Sequence, residues 1–236
     1  MRLSRLSIVA AALALAACGG EAPQREPAPT PATEQAANAM PVMGPERHIL
    51  AFGDSLFAGY NVAADESYPA RLETALRAQG IDAEVANAGV SGDTTAAGLQ
   101  RLTFTLDAQE EVPDLVILEL GGNDLLRGLS PEETKANLAK MLEILNARDI
   151  PVLLMGMRAP PNYGPEFQQA FDALYPALAE EYVAELVPFF LEPVYDQPQL
   201  IQSDRIHPTA EGIEALVGAT VDEVVEALPE EDGDEI

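Results

Sequence analysis

Only two histidines occur in the 236 residues, and one of them has a partner close by. His207 follows Asp204 by three positions in Ser203-Asp204-Arg205-Ile206-His207-Pro208. One turn at that spacing points both side chains the same way. The carboxylate can then accept a bond from one ring nitrogen while the other nitrogen faces a hydroxyl. A hydroxyl in a suitable place is that of Ser55, in Ile49-Leu50-Ala51-Phe52-Gly53-Asp54-Ser55-Leu56. Serine is a poor nucleophile until a base takes its proton. The chemistry to expect is acyl transfer, with Ser55 as nucleophile, His207 as base and Asp204 as orienter. Alone, the Asp-x-x-His pair does not decide this, because a loop histidine beside an acid reads the same. His48, at the entrance of the apolar run, reads as a surface or strand-edge residue.

Two further stretches offer donors for an oxyanion. Gly121-Gly122-Asn123-Asp124 brings glycines, which let a backbone approach a ligand, and an amide with two N–H groups. Asn87-Ala88-Gly89-Val90-Ser91-Gly92-Asp93-Thr94 can present the Gly92 N–H in a turn ahead of a helix. Asp54 and Asp124 read as structural groups that bond nearby loop N–H groups. Arg127 reads as paired with a surface acid or as a contact for an anionic part of a substrate.

These stretches must sit on elements that bring them together. Ile49 to Phe52 is a short apolar run ended by Gly53, a residue able to take backbone angles that others cannot. Ile81 to Ala86, Leu115 to Leu118, Pro151 to Met155 and Leu186 to Phe190 supply four more strands. Leu115 to Leu118 is continuously apolar, as a strand covered on both faces must be. Helices fall between them. Ser67 caps one that stops at Gly80, with Leu72 and Leu76 on one face, and Thr94 to Asp107 forms another. Ser130-Pro131-Glu132-Glu133 opens a third with a capping box, striped by Leu138, Met141, Leu142 and Leu145. Phe167, Phe171, Leu174 and Leu178 stripe a fourth, with Pro176 as a kink. The last runs from Thr209 to Leu228. Repeated βα units predict an α/β fold, a parallel sheet with helices on both faces. The polar stretches then collect at the carboxyl ends of the strands, where open parallel sheets bind ligands.

The four blocks resemble, in order, those of the SGNH (GDSL) hydrolase superfamily. The likeness spans about residues 48 to 228. It is strongest to the bacterial acyl-CoA thioesterase I, lysophospholipase and arylesterase branch. Gly53-Asp54-Ser55-Leu56, Ser91-Gly92-Asp93-Thr94, Gly121-Gly122-Asn123-Asp124 and Asp204-Arg205-Ile206-His207 carry it. The resemblance implies a flavodoxin-like three-layer α/β/α fold with a five-stranded parallel sheet in the order 2-1-3-4-5. It implies Ser55, Asp204 and His207 as catalytic residues. The oxyanion hole would come from the Ser55 and Gly92 backbone N–H groups and the Asn123 side chain. No metal or organic cofactor is implied. It also marks Met157 to Gly164 as the substrate loop, which by position is a wall for an acyl chain. Arg205 stands where close relatives often carry glycine, a departure that narrows the mouth of the site. The expected reaction is hydrolysis of small-molecule carboxylic esters and thioesters. The alternatives are a carbohydrate acetyl-esterase of the cell envelope and a non-catalytic lipid- or glycan-binding lipoprotein.

The rest of the chain concerns location. Residues 1–17 read as an export signal, with Arg2 and Arg5 before an apolar run too short for an ordinary membrane span. Leu15-Ala16-Ala17-Cys18-Gly19 resembles the bacterial lipobox, which implies Cys18 as a lipid anchor site. Residues 18–46, rich in Pro and Ala, read as a disordered linker, 47–229 as the hydrolase domain and 230–236 as an acidic tail. Export then implies a lipoprotein facing the periplasm, or otherwise a soluble periplasmic protein. Cys18 is the only cysteine, so no internal disulfide can form. The formal charge of −26 opposes binding to nucleic acid.

Overall fold

The structure is a computed structural model that describes residue 42 and residues 44–230. These lie within the unit Met40–Ile236 into which the chain divides after Ala39. The expected export signal, Cys18, most of the expected linker and the acidic tail beyond Glu230 lie outside the described residues.

In chain order the elements are β1 (Arg47–Gly53), α1 (Ser55–Ala58), α2 (Tyr68–Ala78), β2 (Ala83–Gly89), α3 (Thr95–Asp107), β3 (Leu115–Glu119) and α4 (Gly122–Leu126). There follow α5 (Pro131–Asn146), β4 (Val152–Met155), α6 (Pro165–Asp172), α7 (Leu174–Tyr182), β5 (Glu185–Val187), α8 (Glu192–Tyr195) and α9 (Ala210–Ala227). The strands form one parallel sheet in the order β2-β1-β3-β4-β5, as the family resemblance implied. β2 and β3 lie on opposite sides of β1. Right-handed crossovers therefore place α2 on one face of the sheet and α3 on the other. The last helix, α9, packs on α2, while α3, α5 and α7 pack in succession. β3 lies in the middle of the sheet with all five residues buried, which explains its unbroken apolar run. Leu138, Met141, Leu142 and Leu145 of α5 are fully buried, each stabilising by roughly 1.5–3 kcal/mol relative to an exposed side chain. Among the described residues no helix is long and apolar enough to cross a membrane.

Several boundaries differ from the expectation, each for a local reason. The second strand starts at Ala83, not Ile81, because the Ile81 N–H still closes the preceding helix onto Leu76 O. It then continues to Gly89 through polar Asn87, which an edge strand tolerates. The fifth strand ends at Val187, since Pro188 has no N–H for the ladder. Phe189 and Phe190 therefore leave the sheet. The helix striped by Phe167 to Leu178 is two helices, broken at Ala173. The break falls before Pro176, whose ring excludes the carbonyl four residues earlier, at Asp172. Ser67 occupies the cap position of α2, but its hydroxyl donates to Ala64 O instead of accepting from the helix. Ser130 does cap α5, accepting the Glu133 N–H at 3.1 Å.

Candidate active site

The site is built where the chain leaves β1, β2 and β3, the point at which the connections diverge. Gly53 of β1 stands in register with Gly89 of β2 and Glu119 of β3. The chain turns at once into α1. Asp54 Oδ1 accepts the Leu56 N–H at 3.0 Å, and Gly59, at φ 75°, ends the helix after one turn. Ser55 is thus the first residue of a one-turn helix and lines a crevice of about 470 Å³.

Gly53 corrects the expectation placed on it. Its φ is not positive, so unusual backbone angles are not the reason for glycine. Space is the reason: a Cβ there would lie 2.8 Å from Glu119 O, Glu119 Oε2 and Phe57 Cδ2. Gly53→Ala is therefore expected to destabilise the fold by about 1–3 kcal/mol. A lower urea midpoint with an unchanged m-value would register this, and a wild-type midpoint would contradict it.

The histidine comes from the loop between α8 and α9. That loop is closed by Gln202 N–H to His207 O at 2.7 Å and Thr209 N–H to Leu200 O at 2.8 Å. Asp204 serves twice inside it. Its Oδ1 accepts the Ile206 and His207 N–H groups at 3.0 and 3.1 Å, and its Oδ2 lies 2.7 Å from His207 Nδ1. His207 Nε2 then stands 2.8 Å from Ser55 Oγ. Partial burial pushes the Asp204 carboxyl up. The bonds from the His207 ring and from the Ile206 and His207 N–H groups outweigh this and hold it at about 2. Three contacts that the sequence did not announce fix the loop. Gln202 Nε2 donates to Tyr60 O and to Pro208 O, each at 2.8 Å, and the Tyr60 ring stacks on His207 at 4.3 Å.

The two remaining loops carry the expected donors. Asn123, in α4, lines the crevice and donates one amide N–H to Asp54 Oδ2 at 2.7 Å. Asp124 accepts from Thr95 N–H and from the Thr95 and Thr134 hydroxyls, tying this loop to α3 and α5. Both aspartates have the structural bonding expected of them. Gly92 lines the same crevice at φ 87°, in the left-handed region that favours glycine. Arg127 is not paired with a surface acid: its guanidinium donates to Gly92 O at 2.7 Å, which fixes the Gly92 carbonyl. Ser55, Asp204, His207, Gly92 and Asn123 are thus brought to one rim. His48 lies elsewhere, between Glu84 and Glu111.

The apolar wall is wider than expected. Of the loop from Met157 to Gly164, only Met157, Arg158 and Pro160 line the crevice. The larger share comes from after β5, including Phe189, Leu191, Val194 and Ile201. Reading Phe189 and Phe190 as strand hid this wall. Arg205 lines the mouth in a left-handed conformation, φ 63°, which glycine takes at less cost. Among the described residues no cluster of three His, Cys, Asp or Glu is arranged to hold a metal ion.

Known proteins are similar to this chain in sequence and fold. The model of the GDSL-like lipase/acylhydrolase family matches residues 51–215. An arylesterase from Vibrio mimicus is 41% identical over 180 residues, covering 76% of this chain and 89% of that protein. An Escherichia coli protein named as a thioesterase, protease and lysophospholipase is 44% identical over 160 residues, covering 68% of this chain and 74% of its own. Among solved structures, AlinE4, described as an SGNH-hydrolase family esterase, is 65% identical, with a TM-score of 0.68 over 79% of this chain and 99% of that one. TesA is 40% identical, with a TM-score of 0.73 over 77% of this chain and all of that one (100%). The four ordered blocks, the sheet order and these likenesses agree: the chain belongs to the GDSL-like lipase/acylhydrolase family.

Proposed function

We propose that the chain hydrolyses carboxylic esters and thioesters through an acyl-enzyme on Ser55. One observation carries this reading: Ser55 Oγ lies 2.8 Å from His207 Nε2, on an imidazole held from behind by Asp204. Ser55 attacks the acyl carbonyl as His207 accepts its proton. The carbonyl oxygen becomes an oxyanion, held by the Ser55 and Gly92 N–H groups and the second N–H of the Asn123 amide. His207 passes the proton to the leaving alcohol or thiol. Water then repeats the attack with the same base and releases the acid. The names of the relatives, an arylesterase and a thioesterase and lysophospholipase, support this range of substrates.

The apolar lining suits an acyl chain longer than acetyl. Each methylene buried is worth about 0.8 kcal/mol, or roughly a fourfold gain in kcat/KM. With esters and thioesters graded by acyl length, kcat/KM is expected to rise at about that rate from acetyl until the chain outgrows the crevice. A profile that is highest at acetyl would instead favour a carbohydrate acetyl-esterase. No hydrolysis of any member would favour a binding lipoprotein.

The export signal and the lipobox-like Cys18 support a location at the membrane on the periplasmic face. This points to envelope or exogenous esters as substrates.

A further inference from the structure

Glu119 ends β3, is wholly buried and has no part in the reaction above. Its Oε2 accepts the Asp54 N–H at 3.1 Å, and its Oε1 is buried with no hydrogen-bond partner. The backbone opposite is cleared for this carboxyl, since a Cβ on Gly53 would lie 2.8 Å from Oε2. Beside it stands Asp54, also buried, with Oδ1 on the Leu56 N–H and Oδ2 on the Asn123 amide.

The charged and titratable groups around the pair provide no counter-ion bonded to it. Arg101 donates to Asp93 and to Gly53 O, not to either carboxyl. Asp124 is engaged by Thr95 and Thr134. Tyr175 donates its hydroxyl to Leu120 O. His207 faces Ser55 and Asp204. Two neighbouring buried carboxyls without a cation do not both ionise, and one proton is shared. The donors decide which residue holds it. Asp54 accepts two N–H groups, which suits an anion, whereas Glu119 accepts one and has an oxygen to spare.

We propose that Glu119 is a protonated acid at neutral pH, that Asp54 beside it is the carboxylate, and that this charge fixes the Asn123 amide with its second N–H toward the oxyanion. Glu119 is then a positioning residue that acts through Asp54 and Asn123. Burial, and then the charge of Asp54, push the Glu119 carboxyl well up, in agreement. Asp54 is also pushed up by burial, but its bonds from the Leu56 N–H and the Asn123 amide and the field of His207 oppose this. The effect on rate rests on the oxyanion role proposed above for Asn123. The location of the proton does not.

Infrared spectroscopy of the wild-type protein at neutral pH tests the proton directly. A carbonyl band of a protonated carboxyl is expected, shifted in protein made with isotope-labelled glutamate and unmoved with labelled aspartate. A band that moves with the aspartate label, or no band at all, would overturn the proposal, whatever the activity. Kinetics test the positioning. Asp54→Asn is expected to lower kcat by about 10²-fold with KM within about threefold, the pattern and scale of Asn123→Ala. Glu119→Gln, a neutral mimic of the acid, is expected to keep at least a tenth or so of the wild-type kcat and to lose the infrared band. Wild-type kcat in Asp54→Asn, or a loss in folded Glu119→Gln as deep as in Asn123→Ala, would overturn it.

Discussion

Ser55→Ala is expected to lower kcat/KM for ester hydrolysis by about 10⁴–10⁶-fold. The size follows from the role. In the proposed mechanism the hydroxyl forms the covalent bond, and removing a serine nucleophile abolishes the route through the acyl-enzyme. What survives is the oxyanion hole and the binding crevice acting on water, worth roughly 10³–10⁴ over the uncatalysed rate. The replacement takes one oxygen from a half-buried position on a one-turn helix capped by Asp54, so the fold should hold. Steady-state rates beside a thermal melt read both. Loss of less than about tenfold would remove Ser55 from the reaction.

Asp204→Asn is the second large effect, expected at about 10³–10⁴-fold in kcat. The amide is nearly the same shape, yet neither orientation of it fits. With its NH₂ toward His207 Nδ1, the ring is pressed into the wrong tautomer and cannot accept the serine proton. With its NH₂ toward the Ile206 and His207 N–H groups, donors face donors and the loop that aims the ring is loosened. The pH dependence carries a second signature. Asp204 is held at about 2, below its ordinary 3.8, so the charged form is favoured in the folded protein. Its contribution to stability is present above about pH 4 and is lost as the pH falls through about 2. Asp204 stays charged down to about pH 4, so a loss of activity above that pH does not come from this carboxylate. In Asp204→Asn the change in urea midpoint between about pH 4 and pH 2 should shrink; an unchanged slope would contradict this.

Much of the site was legible in the sequence because each of its residues sits in a short block with a job of its own. Asp204 and His207 lie on one turn, so their pairing needs only local geometry. Ser55 and His207 are 152 residues apart, and only the order of strands in the sheet brings them to 2.8 Å. The βα alternation gave the layers, while the strand order came from the resemblance. What stayed hidden depends on contacts between loops. Arg127 looks like any exposed arginine until Gly92 O is found beneath it. Gly53 looks like a turn glycine until Glu119 is found where its side chain would stand. Glu119 itself left a trace, an acid at the end of an otherwise apolar strand. The apolar wall after β5 is hidden in the sequence because Phe189 follows an apolar strand without a polar break, with only Pro188 to mark the end. Edge position explains why β2 runs on through Asn87, a residue that would weaken an interior strand.

The most direct measurement is covalent. A fluorophosphonate reacts with a serine only where a base has activated it and an oxyanion hole receives its oxygen. Mass mapping of the wild-type protein after reaction is expected to place one label per chain on Ser55, with none on Ser55→Ala. No label on the wild type, or a label on another serine, would contradict the assignment of Ser55 and His207 as nucleophile and base.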